Sequence, residues 1–407
     1  MDGPTLLVTV TGRDRPGIAG SIFAALAPLG LPVLDVEQVH VHGRLLLCLE
    51  LGGDPATDAD RVAAALGHVL DPSLLDVAVG RLEAGAEVSD DPRHLVTVLA
   101  PELGAGALAG IFLHIAGSGA NVERIVRLAT YPVTSYELVV SGGDPEQLRR
   151  ALSGEAARLG VDVAVQRAGL HRRAKHLIVV DVDSTLLQGE VIDLLAERAG
   201  CAREVELLTE AAMAGTLDFS EALAKRLALL AGLDAAVLDE VGAGLVLTPG
   251  ARTLMRTLKR LGYVTAAVSG GFTRVIEPLA AELGIDHVAA NELEVVDGRL
   301  TGRLVGPVVD RAGKAAALVR FAALAGVPMA QTVAVGDGAN DLDMLAAAGL
   351  GIAFNAKPAV RDAADTALSV PYLDAILFLL GISRREIEAA DRELGAPSDR
   401  SGLALPR

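Results

Sequence analysis

The stretch IVVDVDSTLLQGE, residues 178–190, decides the fold. An apolar run ends in Asp181 and Asp183, separated only by Val182 and followed at once by Ser184 and Thr185. Apolar residues without polar alternation mark a strand covered on both faces, as in a parallel sheet sandwiched between helices. Two carboxylates crowded at the end of such a strand repel one another unless a positive charge sits beside them.

Working outward, the same grammar recurs. Residues 263–270 and 332–338 are further apolar strands, with shorter ones at 287–291 and 350–354, each separated from the next by helical sequence. Strands alternating with helices predict an α/β domain with a doubly wound parallel sheet over residues 176–390. Residues 190–248 read as helix without a sheet strand, so they form a helical cap inserted directly after the first strand. Residues 391–407 are expected to form a flexible tail.

The first third of the chain is duplicated. Val-Thr-Val at 8–10 returns at 96–98, and Ala-Gly at 19–20 returns at 109–110. Gly30 and Gly119 each close a helix, as left-handed caps do. Second helices near 58–70 and 144–159 and a closing strand complete a βαββαβ order in both copies. That order is the ferredoxin-like unit, placed at 1–85 and 92–167, with a short basic linker at 168–175.

Composition bounds what such a protein does. The chain has 407 residues, more than one hydrophobic core organises. Its net charge of −16 argues against a broad nucleic-acid surface, although one local cationic pocket still holds a small anion. Two cysteines, Cys48 and Cys201, are too few for a disulfide framework or a thiolate metal site. No apolar run has the roughly 20 residues of a membrane span, and the N-terminus shows no signal-like pattern. A soluble, cytoplasmic protein without membrane or nucleic-acid partners is expected.

Ligands of doubly wound sheets bind at the carboxyl ends of the strands. Three segments put polar groups there: Asp181 with Asp183, Ser269 with Gly270 and Gly271, and Asp337 with Asn340 and Asp341. Lys314 begins a helix between the last two. Each segment alone also reads as ordinary structure, namely a turn or helix cap, a glycine turn, an acidic loop and a surface lysine. Together, clustered carboxylates fit a hard divalent cation, most simply Mg2+. A lysine and glycine amides fit the charge that spreads over phosphoryl oxygens in transfer.

This ordered set resembles the haloacid dehalogenase-like phosphatases. The resemblance implies that Asp181 is the nucleophile, Asp183 the general acid and base, and Lys314 the cation steadying both nucleophile and phosphate. It makes Ser269, Gly270 and Gly271 phosphate-binding, and Asp181, Asp337 and the main chain of Asp183 the metal ligands, with Asp341 supporting them from behind. The segments DVDSTLLQGEVIDLLAERAG, AMAGTLDFSEALAKR and VAVGDGANDLDMLAAAGLGIAFNAKP are similar, more closely, to the phosphoserine phosphatase family over residues 175–385. That likeness implies O-phospho-L-serine as substrate. Glu190 then takes the amino group, Arg226 the carboxylate and Asn340 the phosphate side, while Met213 and Phe219 close over the ligand.

The N-terminal repeats resemble ACT domains, small modules that often bind amino acids. The likeness places an effector site in the first loop, at Asp14, Gly17 and Ile18, and suggests L-serine as effector and a homodimer built through the ACT sheets. The second copy lacks the Asp-Arg-Pro-Gly run of the first. Two other functions remain open to the same residues: transfer of the phosphoryl group to an alcohol such as homoserine, and an amino-acid sensor with little turnover.

Overall fold

The computed structural model describes residues 4–82, 93–169, 172, 174–213, 217 and 219–395. It divides into two compact units, Met1–Asp90 and Asp91–Arg407.

The first unit runs β1 (Thr5–Arg13), α1 (Ile18–Leu26), β2 (Val33–Val41), β3 (Arg44–Leu51), α2 (Pro55–Gly67) and β4 (Leu75–Leu82). Its sheet is antiparallel in the order β2-β3-β1-β4. Alternate residues of β1 and β3, among them Leu6, Val8, Val10, Leu47 and Leu49, are buried against the helices. Alternation on one face is what a half-covered antiparallel sheet requires. The second helix starts earlier than its apolar pattern implied, because Asp54 caps the Ala56 amide and Pro55 fits the first helical position.

The second unit opens with the repeat: β5 (Arg93–Ala100), α3 (Ala105–Gly117), β6 (Ala120–Ala129), β7 (Thr134–Gly142), α4 (Pro145–Leu159) and β8 (Asp162–Arg167), in the sheet order β6-β7-β5-β8. Here both faces of β5 are covered. Val96, Val98 and Ala100 face the repeat's own helices, while Leu99 joins the large core of the following layer.

That layer begins with β9 (Leu177–Asp181). A helical excursion follows, comprising α5 (Val191–Ala199), α6 (Ala202–Met213), α7 (Phe219–Ala228) and α8 (Ala236–Ala243). The chain then returns through α9 (Ala251–Arg260), β10 (Val264–Phe272), α10 (Thr273–Leu283), β11 (His287–Val296), β12 (Arg299–Val305) and α11 (Arg311–Ala325). It closes with β13 (Thr332–Gly336), α12 (Leu342–Ala347), β14 (Gly351–Phe354), α13 (Pro358–Ala363), β15 (Thr366–Leu368), α14 (Ile376–Leu379) and α15 (Arg384–Glu393). The seven strands lie in the order β12-β11-β10-β9-β13-β14-β15, parallel except for the β11–β12 pair. All five residues of β9 and of β13 are buried, as central strands of a two-sided sheet must be.

The helical cap leaves and rejoins the sheet through a neck of two short antiparallel segments. Leu187 bridges Leu247, the Gln188 amide donates to the Val246 carbonyl at 2.8 Å, and the Thr248 amide donates to the Leu186 carbonyl at 2.9 Å. This neck fixes where the cap hangs above the strand ends.

In the linker, Arg172 pairs with Glu137 and Lys175 Nζ donates to the Ala330 carbonyl at 2.6 Å. One expectation needs correction. The supposed tail begins inside α15, where buried Asp391 takes both Arg256 and Arg260. Residues 396–407 lie outside the described set.

Candidate active site

Parallel strands end on the same side of a sheet, so the register brings the motifs together. Asp181 pairs with Val268, which places Ser269 beside it, and on the other flank Val335 pairs with Val180. Immediately after β9 the chain curls through Val182–Leu186. Ser184 there adopts a left-handed conformation at φ 59°, and its amide donates to the Gly189 carbonyl at 3.0 Å. The curl turns Asp183 back over the strand ends and puts the Thr185 hydroxyl 3.2 Å from Asp337 Oδ1.

Lys314 is the pivot. It is 1% exposed, and its Nζ donates to Asp181 Oδ1 at 2.6 Å and to Asp341 Oδ1 at 2.7 Å. Asp341 also accepts the Gly338 amide at 3.0 Å, so both its oxygens are used inside the protein. Its carboxyl lies so close to β13 that a Cβ at position 336 would sit 2.4 Å from Asp341 Cγ; only glycine fits there. Burial works against the Lys314 charge, but Asp181 and Asp341 outweigh it and raise its pKa. Burial, and then Asp341, push the Asp181 carboxyl well above its ordinary value, with Lys314 pulling the other way. Asp337 is pushed up to about 6, again by burial and then by Asp341.

Asp183 is held from two sides. Its Oδ1 accepts the Val191 amide at the start of α5 at 2.9 Å, and its Oδ2 accepts the Ser269 hydroxyl at 2.6 Å. Ser269 in turn accepts the Gly271 amide at 2.7 Å. One carboxylate is therefore wired both to the core loop and to the first helix of the cap.

These groups floor a cavity of about 380 Å3, a size suited to a small ligand. Asp181, Asp183, Gly270, Gly271, Lys314 and Asn340 line its core side; Glu190 and Arg226 line the cap side. Glu190 begins α5, but its side chain caps no amide. Burial, with the charges of Asp183 and Asp193, pushes its carboxyl up to about 7, while Arg226 draws it down. Arg226 is 7% exposed, and its Nε has no partner among the described residues. Burial lowers its pKa, opposed by Glu190, Asp193 and Asp183. Opposite charges on the cap wall face carboxylates and a lysine on the floor.

Oxygens of Asp181, Asp337 and Asp341 lie within 4.8 Å of one another. An all-oxygen, hard donor set of this kind fits a cation such as Mg2+. Met213 ends α6 and Phe219 begins α7; their side chains lie outside the described set. In the first unit, the Asp14 amide donates to the Gly43 carbonyl at 2.9 Å and its carboxylate faces His40 at 3.5 Å. Gly17 is left-handed at φ 95° before α1, and Ile18 is buried in the unit's core.

Sequence reasoning passed over three residues. Asn291, 1% exposed, donates to the Gly270 carbonyl and accepts the Val309 amide, both at 2.8 Å, bracing the glycine loop. Thr209 and Lys357 line the cavity. Asn291 was visible as a polar residue at the carboxyl end of an apolar strand; the other two carried no local signal.

Comparisons with known proteins agree with this layout. Residues 178–346 match the haloacid dehalogenase-like hydrolase family, and residues 4–77 and 92–166 each match an ACT domain family. The chain is 57% identical over 395 residues to a phosphoserine phosphatase of Streptomyces coelicolor, covering 96% of this chain and 95% of that protein. It is 54% identical to a phosphoserine phosphatase of Mycobacterium tuberculosis, covering 95% of each. Among solved structures, it resembles a haloacid dehalogenase family hydrolase from Salmonella enterica at 28% identity and TM-score 0.63, covering 70% of this chain and 98% of that one. A probable phosphoserine phosphatase from Vibrio cholerae is 32% identical with TM-score 0.56, covering 73% of this chain and 88% of that one.

Proposed function

This chain belongs to the phosphoserine phosphatase family, and from that premise we propose that it hydrolyses O-phospho-L-serine to L-serine and phosphate through an aspartyl-phosphate on Asp181. The observation that carries the reading is one cavity with two walls. Acids and Lys314 for a phosphoryl group lie below, and Glu190 and Arg226 for an amino acid lie above.

Asp181 Oδ1 is held by Lys314, leaving its other oxygen to attack phosphorus as the seryl O–P bond breaks. Asp183 gives its proton to the departing seryl oxygen. After serine leaves, Asp183 takes a proton from water, whose oxygen attacks the phosphoryl group and frees Asp181. Lys314 and the amides of Gly270 and Gly271 balance charge on the transferring group. Ser269 serves the phosphate once its hydroxyl turns from Asp183. Mg2+ would be held by Asp181, Asp337 and the main-chain oxygen of Asp183, and supplies charge neutralisation of the phosphoryl oxygens. Asn340 contacts the phosphate side. The ammonium goes to Glu190 and the carboxylate to the planar fork of Arg226.

A panel of phosphate esters, assayed for phosphate release with Mg2+ and after chelation, tests this reading. Phosphoserine should be the preferred ester, and chelation should abolish turnover until Mg2+ is restored. Transfer to an added alcohol such as homoserine in place of phosphate release would sink it.

The Glu190 assignment predicts a pH limb. A carboxyl titrating at about 7 is neutral below that pH and binds an ammonium only above it. The kcat/KM for phosphoserine should therefore rise as pH passes upward through 7. In Glu190→Gln that limb should flatten and KM should rise by about tenfold, as for loss of a charged hydrogen bond. An unchanged limb in the variant would remove Glu190 from substrate binding.

We also read the protein as a cytoplasmic homodimer that binds L-serine in its first ACT domain, near Asp14 and Gly17. Among the described residues, β2 is an edge strand with Val33, Val36, Val39 and Val41 exposed, which favours pairing with a second copy. No helix among the described residues is long and apolar enough to cross a membrane. Light scattering of the full chain, with and without L-serine, reads mass and effector response together. A monomer indifferent to serine would end both ideas.

A further inference from the structure

We propose that Thr209 is a positioning residue for Arg226: its hydroxyl oxygen anchors the guanidinium, and discrimination for a substrate carboxylate depends on that anchor. The proposal rests on the assignment of Arg226 to the carboxylate made above.

Thr209 lies on α6 and Arg226 on the neighbouring α7, and both face the cavity. The Thr209 hydroxyl donates to the Val205 carbonyl, one turn back, at 3.0 Å. A hydroxyl has a single hydrogen, so this bond commits it and leaves the oxygen able only to accept. Arg226 Nη1, which can only donate, lies 3.4 Å from that oxygen. The direction of the contact is thereby fixed by chemistry. Binding-site contacts of this length often tighten when a ligand seats.

The anchor also decides what the rest of the guanidinium does. With Nη1 held by Thr209, the buried Nε has no partner among the described residues and remains available. A buried, empty donor is costly, and a planar carboxylate that fills it removes the cost. Glu190 and Asp193 both attract the same guanidinium, yet among the described residues its hydrogen bond goes to Thr209. Without the hydroxyl, a long flexible arginine is free to leave the position from which its fork meets a carboxylate.

The test compares O-phospho-L-serine with O-phosphoethanolamine, which keeps the phosphate and ammonium but lacks the carboxylate, on the full chain with Mg2+. Thr209→Val preserves shape and removes the hydroxyl; it should raise KM for phosphoserine about tenfold, with kcat within about twofold. Phosphoethanolamine kinetics should be unchanged. Thr209→Ser should restore the parent values, and Thr209→Ala, a second way of deleting the hydroxyl, should behave as Thr209→Val.

An unaltered phosphoserine KM in both deletions, or equal losses on both substrates, overturns the proposal. Arg226→Met on the same pair separates the two layers of inference. If it erases the preference for phosphoserine while Thr209→Val does not, the anchor fails and the arginine assignment stands. If it leaves the preference intact, the assignment fails and the anchor falls with it.

Discussion

Asp181→Asn should reduce phosphate release from phosphoserine by at least about a thousandfold while leaving the protein folded. An amide is a poor nucleophile toward phosphorus, and losses of this order or greater follow removal of a covalent catalyst. The fold should survive because the substitution is nearly isosteric and deletes a charge from a fully buried position. Desolvation already opposes that charge, and Lys314 keeps Asp341 as a partner. Thermal melting alongside single-turnover phosphate release separates the two quantities. A variant that releases phosphate at the parent rate would exclude Asp181 as the nucleophile, whatever its fold.

Lys314→Met should damage both activity and stability. The lysine is sandwiched between Asp181 and Asp341, each with almost no exposure. Removing one member of a buried ion pair leaves uncompensated charge and costs about 3–5 kcal/mol. The sign of its pH dependence follows from which state binds the proton. Without the lysine, nothing opposes the burial that already raises the Asp181 carboxyl, so the folded protein holds it protonated to higher pH than the unfolded chain does. The variant's stability should therefore fall as pH rises above the ordinary carboxylate range, widening its gap from the parent. Melting temperatures across pH 5 to 8 check this. A gap that narrows with rising pH would mean that the lysine is not the counter-charge of these acids. Turnover should fall by roughly a thousandfold, as for loss of a preorganised charge in the transition state.

The centre of the sheet was legible because central strands carry an unambiguous pattern. Residues 177–180 and 333–335 are apolar throughout, and the polar groups after them could only fall at strand ends. The edges were harder to read. β12 escaped notice although Asp297-Gly298 sits between alternating apolar residues. Their positive φ angles, 53° and 76°, are those of the turn that Asp-Gly favours. β15, three residues long, has no pattern to detect. In the site, side chains following strands were found, while Asn291 and Thr209, which act across elements, were not. Nothing near Thr209 in the sequence says that Arg226 will lie above it. Likewise Asn291 ties the loops of Gly270 and Val309, each roughly twenty residues from it on opposite sides of the sequence.

The seam between the second repeat and the catalytic layer has a consequence for how the molecule melts. β8 runs alongside β15, with the Ser369 amide on Asp162 Oδ2 at 2.6 Å and Gln166 Nε2 on the Leu379 carbonyl at 2.8 Å. Leu99, Leu128, Val133 and Ala164 of the repeat share one apolar cluster with Ile178, Val180 and Phe378 of the layer. Two segments that bury a common interior cannot lose it separately. Calorimetry of the whole chain should therefore show one cooperative endotherm for residues 91–407, although the sequence there spells out two modules. In this protein the unit of ancestry and the unit of cooperativity differ.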